Sequence, residues 1–381
     1  MSIPYGCILV VLLSIVVCNS AFAIPKIIPQ PPSVAARGYI VQDFNSGYVI
    51  AEKNADTRLE PASLTKLMTA LVIFEKLREG EIVLDEPVMI SEKAWRMQGS
   101  RMFVEVNKQV SIEKLLKGLI IQSGNDASVA LAEHVAGSEE GFVTMMNGYA
   151  SEFGMEGTHF MNSTGLPDEN HYTTARDMAK LTQKIIERFP EYYSWYSIKE
   201  YSYGGIKQFN RNKLLWRDKS VDGLKTGHTK SAGYCLITSA KRNGMRLISV
   251  VIGAKSEEGR AQESQRLLNY SFRFFETRKL YSANEVLTTT KVWKGETEEL
   301  QLGVGRDFYL TFPRGRYKNL DASMSVDNLV YAPVKRGQEL GSVNIKLNDQ
   351  ELGSQPLIAL NGVEEGGFFQ RMVDEVYLMF E

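Results

Sequence analysis

Cysteine is scarce in this sequence and poorly placed for cross-linking. Of three cysteines in 381 residues, Cys7 and Cys18 fall within the opening segment. If that segment is removed, Cys235 stands alone, no intramolecular disulfide is possible, and stability rests on the core. Histidine is equally sparse. His134, His159, His171 and His228 show no H-E-x-x-H or similar ligand spacing, so zinc-dependent hydrolysis lacks support and no metal or other cofactor is expected. Charge excess is also missing. The 44 basic and 45 acidic residues are spread in small groups, which excludes the basic field of a nucleic-acid surface. No internal repeat or low-complexity tract is present.

What is present begins with "MSIPYGCILVVLLSIVVCNSAFA", an apolar run from Cys7 to Cys18 followed by the small-x-small sequence Ala21-Phe22-Ala23. Residues 1–23 read as a secretory signal, although the amino end carries no Lys or Arg; an uncleaved signal anchor is the alternative. Ile15-Val16-Val17 lack the small residue that a lipid-modified Cys18 would need before it.

The length allows two domains, each with a core. Asn45-Ser46-Gly47 divides two apolar-rich runs as a hairpin would. Helical stretches follow: "SIEKLLKGLIIQ", "DASVALAEHVAG", Glu139 to Phe153 and Thr174 to Glu187. From Lys225 the pattern returns to strands, turning at Asn243-Gly244, and a long helix, "RAQESQRLLNYSFRFFETRKL", comes next. Strands at both ends with helices between them fit an α+β domain whose terminal strands share one sheet. From about Leu287 short strands and turns indicate a second, all-β domain.

In "EPASLTKLMTALVIF", Leu64, Leu67, Met68, Leu71 and Val72 carry a helical stripe, and no charge falls between Lys66 and Glu75, which predicts a helix buried all round. Ser63 at its start reads as an N-cap, whose usual companion three residues on is Glu or Gln. Lys66 stands there instead, where a cation opposes the helix dipole by roughly 0.3 to 1 kcal/mol. The same spacing brings its amine beside the Ser63 hydroxyl, as a nucleophile and its base require. A lone S-x-x-K also fits a lysine snorkelling to solvent. Two further stretches bear on the choice: Ser123-Gly124-Asn125 on an interhelical turn, and Lys225-Thr226-Gly227 opening a strand.

Together, in this order, S-x-x-K, S-x-N and K-T-G resemble the serine penicillin-recognising enzymes. The likeness extends through "GSRMFVEV", "HFMNSTGL", "TTARDMAKL", "FNRNKLLW", "VDGLKTGHTKSAGYCL" and, late in the chain, "LTFPRGR" and "PLIALNGVEEGGFFQRM". These are similar to the low-molecular-mass D-alanyl-D-alanine carboxypeptidases of the penicillin-binding protein 5 and 6 type. The resemblance implies a β-lactamase/transpeptidase-like domain, antiparallel sheet with helices, over 30–283, a small all-β domain over 284–365, and an amphipathic helix over 366–381. It also implies removal of the terminal D-alanine from peptidoglycan stem peptides ending in D-Ala-D-Ala, and acylation by β-lactam antibiotics.

Ser63 would form the acyl-enzyme and Lys66 take its proton. For that its pKa must fall from about 10.4 toward about 7, a difference of roughly 4 to 5 kcal/mol, helped by burial and by Lys225 as a second cation. Ser123 would relay a proton, Asn125 would hold the substrate amide, and the Lys225 strand would receive the peptide as an added strand. The backbone N–H groups of Ser63 and His228 would form the oxyanion cradle beside Gly227. Thr226, His228 and Arg260 are carboxylate-binding candidates, with a solvated surface arginine as the other reading of Arg260 and a structural role as the other reading of His228.

Three other functions stay in view. A class A β-lactamase would need a deacylating glutamate; Glu169 is adjacent to Asn170, so E-x-x-x-N is absent. A transpeptidase or endopeptidase on cross-linked wall shares the motifs, and a non-catalytic wall-binding protein would be expected to have lost one of them. At the carboxyl end Phe368, Phe369, Met372, Val373, Val376 and Phe380 share a helical face. By resemblance this helix docks on the outer face of the cytoplasmic membrane, in a Gram-negative periplasm, although Arg371, Asp374 and Glu375 depart from the basic polar face such a helix should have. Packing on the protein or on a partner is the alternative, and a homodimer stays open.

Overall fold

A computed structural model describes residues 28–379. The expected signal segment, with Cys7 and Cys18, and Phe380 lie outside the described residues. The early and late hairpins of the sequence meet in one five-stranded sheet. β1 (Gly38–Asp43) and β2 (Val49–Lys53) flank the Asn45-Ser46-Gly47 turn; β3 (Val221–Thr229), β4 (Gly233–Arg242) and β5 (Met245–Ala254) complete it. Every pairing is antiparallel and the order is β2-β1-β5-β4-β3. β1 joins β5 from Gly38↔Ile252 to Asp43↔Leu247, so the two ends of the domain close on each other as expected. Asn243 and Gly244 both take positive φ, the backbone of a two-residue primed turn.

β3 is an edge strand, and it begins at Val221, so Lys225-Thr226-Gly227 lies in mid-strand and does not open it. The reason is burial on both faces: from Val221 to Gly227 only Asp222 is not buried, and a strand covered on both sides shows no alternation to read.

The helices cover this sheet. α1 (Lys66–Glu79) is buried at every position through Glu75, in agreement with its uncharged run. Each large side chain it buries, such as Leu67, Leu71 or Phe74, contributes about 1.5–3 kcal/mol. α2 (Asn125–Ala136), α3 (Glu139–Glu152) and α4 (Ala175–Arg188) share that core, and α5 (Glu257–Phe274) lies against β4 and β5. α5 is shorter than predicted. Phe275–Tyr281 forms a strand paired with Phe308–Pro313, because pairing and burial of Phe275 and Phe312 override the helical period of this aromatic stretch.

The C-terminal part is all-β, as the texture of the sequence indicates. A six-stranded sheet built from segments between Val286 and Ala359 packs around two apolar clusters, one with Leu300, Leu302 and Ala359, the other with Phe308, Phe312 and Leu357. The ladder of Phe275–Tyr281 with Phe308–Pro313 meets the first domain at the β1–β2 turn. There buried Asp43 accepts hydrogen bonds from Ser46 Oγ (3.0 Å) and Thr277 Oγ1 (2.7 Å), and Ser46 Oγ reaches Thr311 Oγ1 at 2.6 Å.

The chain closes with α6 (Phe368–Leu378). Asp374 alone turns inward, accepting from the Lys294 N–H at 2.5 Å, while exposed Glu375 pairs with the Lys294 ammonium. Its apolar side faces outward. No helix among the described residues is long and apolar enough to cross a membrane.

Candidate active site

The helix expected from Glu60 onward starts late. Ala62–Thr65 form a 3-10 turn and α1 begins at Lys66. Ala62 takes a left-handed φ of 47°, which interrupts a continuous helix and holds the turn in a sparsely populated conformation. Ser63 makes no capping bond; its half-buried hydroxyl lines a cavity of about 600 Å³. Two glycines permit the fit. At Gly165, φ 83°, an added Cβ would sit 1.8 Å from the Ala62 carbonyl oxygen, and at Gly227 it would sit 3.1 Å from that of Pro61. The edge strand therefore lies directly against the nucleophile turn.

Lys66 is fully buried and its Nζ meets three acceptors: Ser63 Oγ at 3.2 Å, Asn125 Oδ1 at 2.7 Å and the Thr164 carbonyl at 2.6 Å. Burial pushes its pKa down from 10.5 to about 7, opposed by Asp126 and Glu139 and reinforced by Arg211. Charge repulsion is mutual, so Lys225, as the sequence leads one to expect, and Arg211 both disfavour a charged Lys66. Lys225 is itself buried, donates to Ser123 Oγ at 2.9 Å, and is held well below the ordinary lysine range by burial and by the nearby charges of Lys66, Arg211 and Arg260.

Ser123 occupies the interhelical turn at a left-handed φ of 62°, which aims its hydroxyl at Lys225. Asn125 opens α2. Its Oδ1 faces Lys66 and its Nδ2 donates to the Gln98 carbonyl at 2.6 Å, so its contacts within the protein orient Lys66, and one lone pair and one N–H are left for a substrate amide. Beside it, Asp126 accepts from the backbone N–H groups of Met102, Phe103 and Val104 at 3.0, 2.8 and 3.2 Å. This fastens the "GSRMFVEV" segment so that Gly99 and Ser100 form a cavity wall.

Thr226, Gly227, His228 and Arg260 line the same cavity. Arg260 is buried, so the solvated reading fails; its Nη1 donates to the Gly227 carbonyl at 3.1 Å. His228 is exposed and stacks on Tyr234 with ring centroids 4.1 Å apart. All nine residues singled out from the sequence are brought together, Lys66 and Lys225 beneath the wall and the other seven on it. Arg211, Thr164, Tyr234 and Glu257 were missed. Arg211 is held in place by its flanks: buried Asn210 and Asn212 donate to the carbonyls of Ile198 (3.1 Å) and Gly223 (3.0 Å) and fasten the backbone on either side of it. Glu169 is exposed and does not line the cavity.

A serine hydrogen-bonded to a buried lysine, set against the edge of an antiparallel sheet, defines a serine hydrolase equipped for acyl transfer. Residues 26–256 match the family described as D-alanyl-D-alanine carboxypeptidase, and 275–365 match the penicillin-binding protein 5 C-terminal domain. The chain is 45% identical over 369 residues to D-alanyl-D-alanine carboxypeptidase DacC of Escherichia coli, covering 95% of this chain and 92% of that protein. Penicillin-binding protein 5 from Haemophilus influenzae superposes with a TM-score of 0.86 at 42% identity, covering 88% of this chain and 100% of that one. Penicillin-binding protein D2 from Listeria monocytogenes, in its ampicillin-bound form, gives 0.59 at 31% identity over 64% of this chain and 100% of that one. The chain belongs to the D-alanyl-D-alanine carboxypeptidases of the penicillin-binding protein family.

Proposed function

We propose that Ser63 is the nucleophile of this carboxypeptidase and that neutral Lys66 is its base. The observation that carries the reading is the 3.2 Å contact from Lys66 Nζ to Ser63 Oγ, made by a fully buried amine with no carboxylate among its hydrogen-bond partners in the described residues. Lys66 takes the hydroxyl proton as Ser63 Oγ bonds to the carbonyl carbon of the penultimate D-alanine. The N–H groups of Ser63 and His228 face the developing oxyanion. The C–N bond then breaks, and the terminal D-alanine leaves with a proton delivered through Lys66, Ser123 and Lys225. Water hydrolyses the ester by the reverse of the proton path. The free terminal carboxylate lies among Thr226, Arg260 and Arg211, where two guanidinium groups reach the same cavity. The unpaired edge of β3 takes the stem peptide as an added strand.

The same attack on a β-lactam opens the ring and leaves the acyl group on Ser63; the ampicillin-bound Listeria relative supports this. Residues 1–23 direct export, and the outward apolar face of α6 attaches the mature protein to the outer face of the cytoplasmic membrane in the periplasm. The test is D-alanine release from a diacetyl-Lys-D-Ala-D-Ala peptide, followed by mass, together with labelling by a fluorescent penicillin. Both signals are expected to disappear in Ser63→Ala. Labelling that survives in that variant would remove Ser63 from its role.

A further inference from the structure

His171 is buried, and the chemistry above gives it no task. Its Nε2 lies 2.9 Å from Oγ1 of Thr65, the residue just before Lys66; its Nδ1 has no partner among the described residues, and its ring meets the edge of Phe160 at 5.8 Å. The segment that carries it wraps the nucleophile turn. Ser163 O accepts from Thr69 Oγ1 (2.6 Å), Thr164 O accepts from Lys66, Gly165 lies under Ala62, and Thr173 exchanges backbone bonds with Leu59 at 2.8 Å. The Thr65 contact grips the turn between its two reactive side chains. Packing alone does not call for it, since a buried polar pair costs desolvation that apolar side chains would avoid.

We propose that His171 is a positioning residue for the Ser63–Lys66 pair, holding the 3-10 turn through Thr65 so that the serine oxygen stays within reach of the lysine amine. The inference rests on the roles given above to Ser63 and Lys66. Burial keeps the imidazole neutral, its pKa pushed down to about 4, with Asp168 opposing and His159 and Lys66 reinforcing the shift. The contact therefore has the same form across the pH range in which Lys66 titrates.

Thr65→Val, His171→Phe, their double variant and His171→Gln test this by the second-order rate of fluorescent-penicillin acylation per titratable site, with kcat and KM on the D-Ala-D-Ala peptide. A displacement of about an ångström at a reacting pair can lower rates by up to about 100-fold, so each single is expected to acylate about 10-fold to 100-fold more slowly. KM should move little, and the double variant should be no slower than the slower single. His171→Gln should recover most of the rate, because its amide can face the Thr65 hydroxyl. Wild-type rates in both singles, defects that multiply in the double variant, or a Gln variant no better than Phe would each overturn the inference. If Ser63→Ala, run in parallel, still takes the label, the underlying reading is the one that fails.

Discussion

Two regions of this protein reverse the usual placement of side chains, in opposite senses. Under the cavity, cations lie inside: Lys66 is 0% exposed and Lys225 2%. On α6, apolar groups lie outside: Phe368 is 69% exposed and Phe369 77%, while Asp374 is buried at 7%. The first reversal is settled within the chain. Both ammonium groups meet protein oxygens, and burial is met by easier loss of a proton, the property that the proposed base needs. The second is settled only on its polar side, by Lys294. Its apolar side is largely left to solvent: Tyr377 meets Lys291, while Phe368, Phe369 and Met379 stay mostly exposed, an unusual face for a helix of a soluble surface.

The largest expected effect lies at Lys66. If burial there serves a base, Lys66→Met, which keeps length and apolar packing, should lower penicillin acylation by about 10²–10⁴-fold, the usual contribution of a positioned base. For such a base the active form in the wild type is the neutral amine, present above a folded pKa of about 7 and lost as pH falls through it. Acylation should therefore decline about tenfold per pH unit below that point. Rates that are flat from about pH 8 to about pH 5 would mean that the lysine is buried for structural reasons and something else takes the proton.

A smaller effect tests the other region. Phe368→Ser with Phe369→Ser removes two aromatic rings from the outward face. At about 1.5 kcal/mol each, vesicle partition should weaken by about 100-fold while penicillin acylation stays as it was. Flotation with neutral and anionic vesicles measures it. Equal flotation of variant and wild type would assign that face to another partner.

The same contrast explains what the sequence discloses. Helix α1 was legible because its burial is uniform and leaves an uncharged run, and the three motifs were legible because chemistry fixes residue types at fixed spacing. Arg211 was harder, since it belongs to no motif and acts on Lys66 only through a loop that Asn210 and Asn212 fasten. Strand β3 hid its first residues because burial on both faces erases alternation. Phe275–Tyr281 read as helix because its pairing partner, Phe308–Pro313, lies in a separate stretch of the chain. Asp374 and Glu375 depart from the basic polar face expected of a membrane helix, and sequence shows that they share a face but not that this face meets Lys294.

The Lys294–Glu375 pair is partly exposed, and such pairs contribute little, about 0–1 kcal/mol. The buried hydrogen bond from the Lys294 N–H to Asp374 should therefore supply most of the hold on α6, and a bond to a carboxylate outweighs one to a neutral amide oxygen. Asp374→Asn keeps the shape and removes the charge, a loss of about 1 kcal/mol, so amide hydrogen exchange across Phe368–Leu378 should quicken by about fivefold. Acylation and global unfolding should not move, since the helix lies outside the catalytic core. Unchanged exchange would show that the orientation of α6 does not depend on its buried acid. The inward turn of Asp374 would then follow from the path of the chain after Gly367, and the likeness between the two regions would end at burial.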